Sequence, residues 1–194
     1  MEIEYEATFY PIDKDEIRNR LKKAGAKLIK PEFLQKRVVF NLPGNKNKDT
    51  TWLRVRDECD KITMSIKVVD GDEICDQKEI CLVVDNFSNA VLFLESIGCL
   101  KKAYQQSKRE LWILDDCEIT IDEWPFLEPY VEIEGKGEES VKKVCVKLGF
   151  DYTDALFCST DELYSRKYGI TRDFINNKIP EIRFDMKNPF LNSA

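Results

Sequence analysis

Several short stretches of this chain carry a polar or charged residue at every second position. Glu2, Glu4 and Glu6 alternate with Ile3 and Tyr5, Arg54 and Arg56 with Leu53 and Val55, and Ser65 and Lys67 with Ile66 and Val68. Thr120 and Asp122 flank Ile121, while Glu132 and Glu134 alternate with Val131 and Ile133. Gln77 with Glu79 and Ser107 with Arg109 keep the same spacing. A period of two puts such residues on one face of a β-strand. Carboxylates at i and i+2 lie about 7 Å apart along that face, which suits one or two hard cations such as Mg²⁺ or Mn²⁺. Arginine would hold phosphate oxygens through its planar fork, and lysine as a point charge. An anion lodged between metal and guanidinium neutralises both, so the implied ligand carries several phosphates.

Composition removes most rival chemistries. The chain has 194 residues and no histidine, which excludes Ser-His-Asp and Cys-His nucleophile pairs, His-ligated zinc and an imidazole base. With 30 Lys and Arg against 36 Asp and Glu, the net charge is -6, the wrong sign for a dedicated nucleic-acid binder. The seven cysteines are scattered with no Cys-x-x-Cys pair and read as free buried thiols of a reducing compartment. Met1-Glu2-Ile3-Glu4 has neither a basic nor an apolar leader region, and no apolar run approaches the ~18 residues of a membrane span. The expected location is cytoplasmic.

The elements that would position these charges follow from the same patterning. Strands are expected over Glu2–Phe9, Phe33–Leu42, Trp52–Asp57, Ile62–Val69, Asp76–Val84, Ala103–Leu114, Glu118–Trp124 and Tyr130–Glu134. A polar loop, 43–49, follows the second. Asp13 with Glu16 opens a helix carrying Ile17, Leu21 and Ala24 up to Gly25, and Ser88 opens another ended by Gly98. Helices are also expected over Glu138–Leu148 and Thr160–Tyr168, with an irregular tail from Gly169 and a short strand at Ile182–Phe184. Short turns between strands imply antiparallel pairing and closure. The predicted class is α+β, an eight-stranded antiparallel closed barrel with flanking helices, as one domain over 1–194. Barrel strands fill about 2–136, and a helical segment and tail fill 138–194. The charged faces could be the wet outside of a sandwich. Their segregation favours a lumen, since carboxylates fall on the first, seventh and eighth strands and cations on the third, fourth and sixth.

In order along the chain, the N-terminal Glu-x-Glu strand, Leu53-Arg54-Val55-Arg56, Lys67, Ser107 to Trp112, Ile119 to Glu123 and Val131 to Gly135 resemble the CYTH or triphosphate-tunnel superfamily. The resemblance runs from about residue 2 to 168. It implies a tunnel enzyme that cleaves a phosphoanhydride, by ATP cyclisation as in class IV adenylyl cyclases or by triphosphate hydrolysis. A non-catalytic nucleotide- or polyphosphate-binding module is the rival. Carried across, Glu2, Glu4, Glu6, Asp122, Glu132 and Glu134 match metal-binding positions, with Glu4, Glu6 and Asp122 also catalytic. Arg54, Arg56, Lys67, Glu79 and Arg109 match substrate-binding positions. Mg²⁺ or Mn²⁺ is the implied cofactor, and the substrate a small-molecule triphosphate: ATP, thiamine triphosphate or inorganic triphosphate. No nucleic acid or membrane partner is implied, and a homodimer is compatible.

Two positions depart from the pattern. The family's first strand reads Glu-x-Glu-x-Lys; here the third place holds Thr8 if Glu4 and Glu6 are the pair, or Glu6 if Glu2 and Glu4 are. Ser107 stands where a lysine usually precedes the sixth-strand arginine. Glu110 and Lys108, on the opposite face from Arg109, read as ordinary surface charges. Trp112, Trp124, Phe126, Tyr164 and Tyr168 read as core or rim packing rather than stacking groups.

Overall fold

A computed structural model describes residues 1–47 and 50–191; Lys48 and Asp49, which end the polar loop, lie outside the described residues, as do the last three. Among the described residues nine strands form the continuous antiparallel series of one sheet: β1 (Glu2–Ile3), β2 (Tyr5–Phe9), β3 (Lys27–Asn41), β4 (Thr51–Asp57), β5 (Ile62–Val69), β6 (Gln77–Val84), β7 (Leu100–Leu114), β8 (Cys117–Glu123) and β9 (Tyr130–Gly135). Their order is β1-β6-β5-β4-β3-β7-β8-β9-β2, with every neighbouring pair antiparallel. The predicted first strand is present as two halves separated by Glu4. Its first half pairs with β6 and its second with β9, so one segment bridges the two ends of the sheet. The Glu4 N–H donates to the Gln77 carbonyl at 3.0 Å and completes the seam. The barrel is nearly closed, and the strand count is nine rather than eight because that segment switches partners.

Pairing fixes which face is which. Directly opposed residues share a face, so the registers Arg37↔Arg56, Arg54↔Ser65, Lys67↔Glu79, Arg109↔Asp122, Thr120↔Glu132 and Glu6↔Glu134 put all of these side chains in the lumen. The alternate, apolar residues point outward and are buried under helices. Beneath α1 (Lys14–Ala24) and α3 (Glu138–Lys147), Ile17, Leu21, Val141 and Val144 pack on Ala7, Ile119, Ile121, Val131 and Ile133. Beneath α2 (Phe87–Ser96), Ala90 and Leu94 pack on Val38, Phe40 and Val55. The core therefore lies outside the barrel, and the interior is left polar.

Local signals account for the helices. The Asp13 side chain accepts from the Glu16 N–H at 2.8 Å, and Gly25 ends α1 at φ 82°, a left-handed value that glycine adopts without steric cost. The cap of α2 is Asn86, which accepts from the Asn89 N–H, rather than Ser88, which sits in the first turn. Strand β3 starts six residues before the predicted Phe33. Pro31, which cannot donate to a ladder, sits inside a register shift between Lys30 and Phe33 and is tolerated there. After α4 (Thr160–Tyr168) the tail is less irregular than expected. It forms α5 (Arg172–Lys178), capped by the Thr171 hydroxyl, and β10 (Glu181–Ile182), which runs parallel to β7 at Tyr104 and Gln105. Leu163, Tyr164, Ile175, Ile182 and Phe190 gather with Trp124 and Tyr130 against one mouth of the barrel.

All seven cysteines are free; Cys99, Cys117 and Cys145 are buried as expected, whereas Cys59, Cys75 and Cys81 are exposed. Glu110 is also a correction: it is buried, binding Arg18 at 2.8 Å and accepting from the Trp112 indole at 2.7 Å under α1. Among the described residues no helix is long and apolar enough to cross a membrane.

Candidate functional site

The lumen has two walls of opposite charge, each built from contiguous strands. Going round the barrel, β5, β4, β3 and β7 carry Lys67, Arg54, Arg56, Arg37 and Arg109. The other arc, β8, β9, the β2–β1 segment and β6, carries Asp122, Glu132, Glu134, Glu6, Glu4 and Glu79. Salt bridges stitch the two seams where the walls meet. At one, Arg109 donates to Asp122 from Nε and Nη2 at 2.8 and 2.7 Å and to Glu132 at 2.7 Å, while the Thr120 hydroxyl completes Asp122 at 2.8 Å. At the other, Arg54 Nη2 holds Glu79 at 2.8 Å, and Lys67 Nζ lies 2.9 Å from Glu4 and 4.0 Å from Glu6. Arg56 binds Glu58, from the turn after β4, at 2.9 Å.

Away from the seams like charges face each other. Glu6 stands directly opposite Glu134, and Arg37 directly opposite Arg56. Opposed like charges are destabilising in a sheet, and more so when desolvated. On the acidic wall burial and like charge act together. Burial, then the nearby Glu6 and Asp122, push Glu132 up to about 8. Burial and Glu6 push Glu134 up to about 7, and burial with Glu79 pushes Glu4 up to about 8 in spite of Lys67. Against the push of burial, Arg54 holds Glu79 well below the usual carboxylate range. On the opposite wall burial, with Arg54 beside it, lowers Arg56 to about 10.

Of the sequence-derived residues, Glu4, Glu6, Arg54, Arg56, Lys67, Glu79, Arg109, Glu132 and Glu134 line one cavity. Asp122 lies just behind, fully buried, with both oxygens turned to Arg109. Glu2 does not join them; it is exposed, at the end of the strand opposite Glu79. The pair facing the lumen is therefore Glu4 and Glu6, with Thr8 in the third place. Among the described residues no three acidic or thiol side chains already stand together at metal-coordinating distance. The acidic wall instead offers carboxylate pairs, oxygen donors of the kind that suit a hard divalent cation.

The pattern of charges did not reveal Arg37, which lies on β3 between Gln35 and Val39 and is buried in the lumen. Its Nη2 donates to Gln35 Oε1 at 2.8 Å and to the Ser107 hydroxyl, so a guanidinium from the neighbouring strand fills the space beside Ser107. Parity with Gln35 was the available signal, masked by Lys36 beside it. Past Arg37, Trp52 and Arg54 the lumen opens into a chamber floored by Val39 and Ala103 and roofed by Ile175 and Asn176 of α5.

No family model matches the chain, and no curated protein sequence does. Solved structures do. A candidate adenylate cyclase from Vibrio parahaemolyticus superposes with a TM-score of 0.73 at 14% identity, covering 84% of this chain and 98% of that one. A conserved hypothetical protein from Pyrococcus furiosus gives 0.68 at 20% identity, covering 82% and 99%. A Hippeastrum adenylyl-cyclase candidate, described as having a dominant triphosphatase activity, gives 0.57 at 12% identity, covering 88% and 97%. The fold is shared with these structures. The two charged walls line the barrel lumen, and the α4–α5 chamber opens from it at one end.

Proposed function

We propose that this chain is a divalent-metal-dependent enzyme that binds a triphosphate-containing substrate inside the tunnel and cleaves a phosphoanhydride bond. The observation that carries the reading is the two-walled lumen: an arc of buried guanidinium groups, of which Arg37 has only neutral partners, faces an arc of buried carboxylates crowded against one another. A polyanion with a divalent metal relieves both. Glu6, Glu132 and Glu134, with Glu4 beside them, would hold Mg²⁺ or Mn²⁺, which when bound stabilises negative charge on the phosphoryl oxygens. Arg54, Arg56 and Arg109 bind phosphate oxygens, and their electrostatic stabilisation with positioning supplies most of the rate.

The remaining groups support these. Asp122 fixes the fork of Arg109, Glu79 fixes Arg54, and Lys67 keeps Glu4 and Glu6 from repelling each other before ligand arrives. Glu4 and Glu6 would exchange a proton with the attacking group. In hydrolysis a water oxygen bonds to the terminal phosphorus, the bridging P–O bond breaks and the water proton passes to a carboxylate. In cyclisation the ribose 3′-oxygen bonds to the α-phosphorus, the bridging bond between the α- and β-phosphates breaks to release pyrophosphate, and the hydroxyl proton passes to a carboxylate. The names of the structural neighbours support both chemistries.

A non-catalytic polyphosphate- or nucleotide-binding module is the second reading, favoured by the lack of a preassembled metal trio among the described residues and by Thr8 in place of the first-strand lysine. The test is a panel of ATP, GTP, thiamine triphosphate and inorganic triphosphate with Mg²⁺ or Mn²⁺, products resolved by phosphorus NMR. Turnover of at least one, lost with EDTA, is expected. Tight binding with no product from any would leave the binding module standing.

A further inference from the structure

Arg37 is a buried cation without a counter-ion. Its side chain is 6% exposed, and its partners are neutral: the Gln35 carbonyl oxygen, the Ser107 hydroxyl and the face of Trp124, 4.4 Å from the guanidinium carbon. Its Nε has no hydrogen-bond partner among the described residues. Arg56 stands directly across the strand pair, and Arg54 and Arg109 add further positive charge. Burial and those three guanidinium groups hold Arg37 well below the ordinary arginine range. An isolated buried charge of this kind is costly unless something of opposite sign completes it. Every other arginine of the lumen has a carboxylate at 2.9 Å or less: Glu79 for Arg54, Glu58 for Arg56, Asp122 for Arg109. Arg37 is the one of the four with no carboxylate partner among the described residues.

We infer that Arg37 binds a phosphate group of the substrate, at the point where the tunnel lumen meets the α4–α5 chamber. The inference rests on the proposed reading of the tunnel as a triphosphate site and assigns the contact that orients the phosphate chain in it. Arg37 and Arg54 border both the lumen and the chamber, so a phosphate held there is the one nearest the chamber mouth. Neutral partners hold the guanidinium in place without spending its charge. Only Nη2 of the guanidinium is engaged among the described residues, so the group lining the cavity has donors to spare for an incoming oxygen.

The experiment uses the full chain in EDTA, so that no turnover intervenes. Inorganic triphosphate and ATP are titrated calorimetrically into wild type, Arg37→Gln and Arg37→Lys, with thermal melts of the ligand-free proteins alongside. Arg37→Gln should weaken both ligands by about ten- to a hundredfold, the worth of one charge-assisted bond, while its melting temperature stays level or rises. Arg37→Lys should recover part of the affinity. Unchanged affinity in the Gln variant, or a loss confined to ATP, overturns the phosphate contact. A lowered melting temperature with unchanged affinity makes Arg37 a structural residue. Should Arg37→Gln fail to fold, Arg37→Met, which keeps the bulk without the charge, carries the same comparison. Should wild type bind neither triphosphate, the wider tunnel reading falls. Arg37 is then judged on pyrophosphate and sulfate: a melting-temperature rise in wild type that is missing in the variant keeps the anion site, and no rise removes it.

Discussion

At the scale of single residues, the tunnel is a place where ordinary side chains are made to hold unfavourable charge states. Glu134 is the clearest case, because it faces Glu6 directly and is pushed up to about 7 by burial and that neighbour. Glu134→Gln removes an oxygen donor and the charge together. Metal-dependent turnover should be lost while the fold survives. The ligand-free variant should be more stable than wild type at pH 8, by up to about 3 kcal/mol, because ionising a carboxylate raised from 4.5 costs about 1.4 kcal/mol per unit. Below about pH 4 the carboxyl is protonated in both the folded and the unfolded chain, and the melts should converge. Activity retained at limiting Mg²⁺ or Mn²⁺ would take Glu134 out of the metal site. The alternating pattern showed this residue and most of the lining directly, since period two on a strand with one apolar face leaves no choice of side. What it did not show was pairing. That Asp122 is consumed by Arg109, and that Arg37 has no acid at all, depends on which strands are neighbours, and single-strand periodicity does not contain it.

At the scale of elements, the unusual feature is that the helices, not the lumen, supply the apolar core. Helix α1 buries Ile17 and Leu21 on the outward faces of β2, β8 and β9, whose inward faces carry Thr8, Asp122 and Glu132. Leu21 is fully buried, so Leu21→Ala should destabilise by about 2–5 kcal/mol and lower the melting temperature by roughly 5–12 °C. Affinity for inorganic triphosphate should be unchanged below the melt, because no lumen side chain touches Leu21; a parallel loss of affinity would show that α1 sets lumen geometry as well as stability. Elements with clear periodicity, such as α1, β4, β5 and β9, were legible to within a residue or two. The missed ones have physical causes. Helix α5 reads Arg-Asp-Phe-Ile-Asn-Asn-Lys, polar and poor in strong helix formers, and is held by Ile175 against the barrel mouth rather than by propensity. The first six residues of β3 are broken by Pro31 and pair only through a bulge.

At the scale of the whole molecule, folding without ligand assembles a cationic arc and an acidic arc that each repel themselves, so ligand-free stability must depend on pH with a sign fixed by the acidic one. Glu4 and Glu132 rise to about 8 and Glu134 to about 7, all from 4.5. A carboxyl whose pKa is raised by folding binds its proton more tightly in the native state. The stability it contributes is complete below about pH 4.5 and is lost as pH climbs through the folded value. Groups held low, such as Glu79 under Arg54, act in the reverse sense, but only below about 4.5. Between pH 5 and 8.5 the raised carboxyls therefore govern, and the melting temperature of the metal-free protein should fall across that window. Added Mg²⁺ or Mn²⁺ replaces those protons, so it should raise the melting temperature at pH 8 and do little at pH 5. Inorganic triphosphate added with the metal should stabilise further by occupying the opposite arc. Differential scanning calorimetry at five pH values, with EDTA and with metal, reads all three effects. A flat or rising metal-free profile over that range would mean the acidic wall is solvated enough to ionise freely, and the proposed binding of a metal and a polyanion would lose the electrostatic tension it rests on.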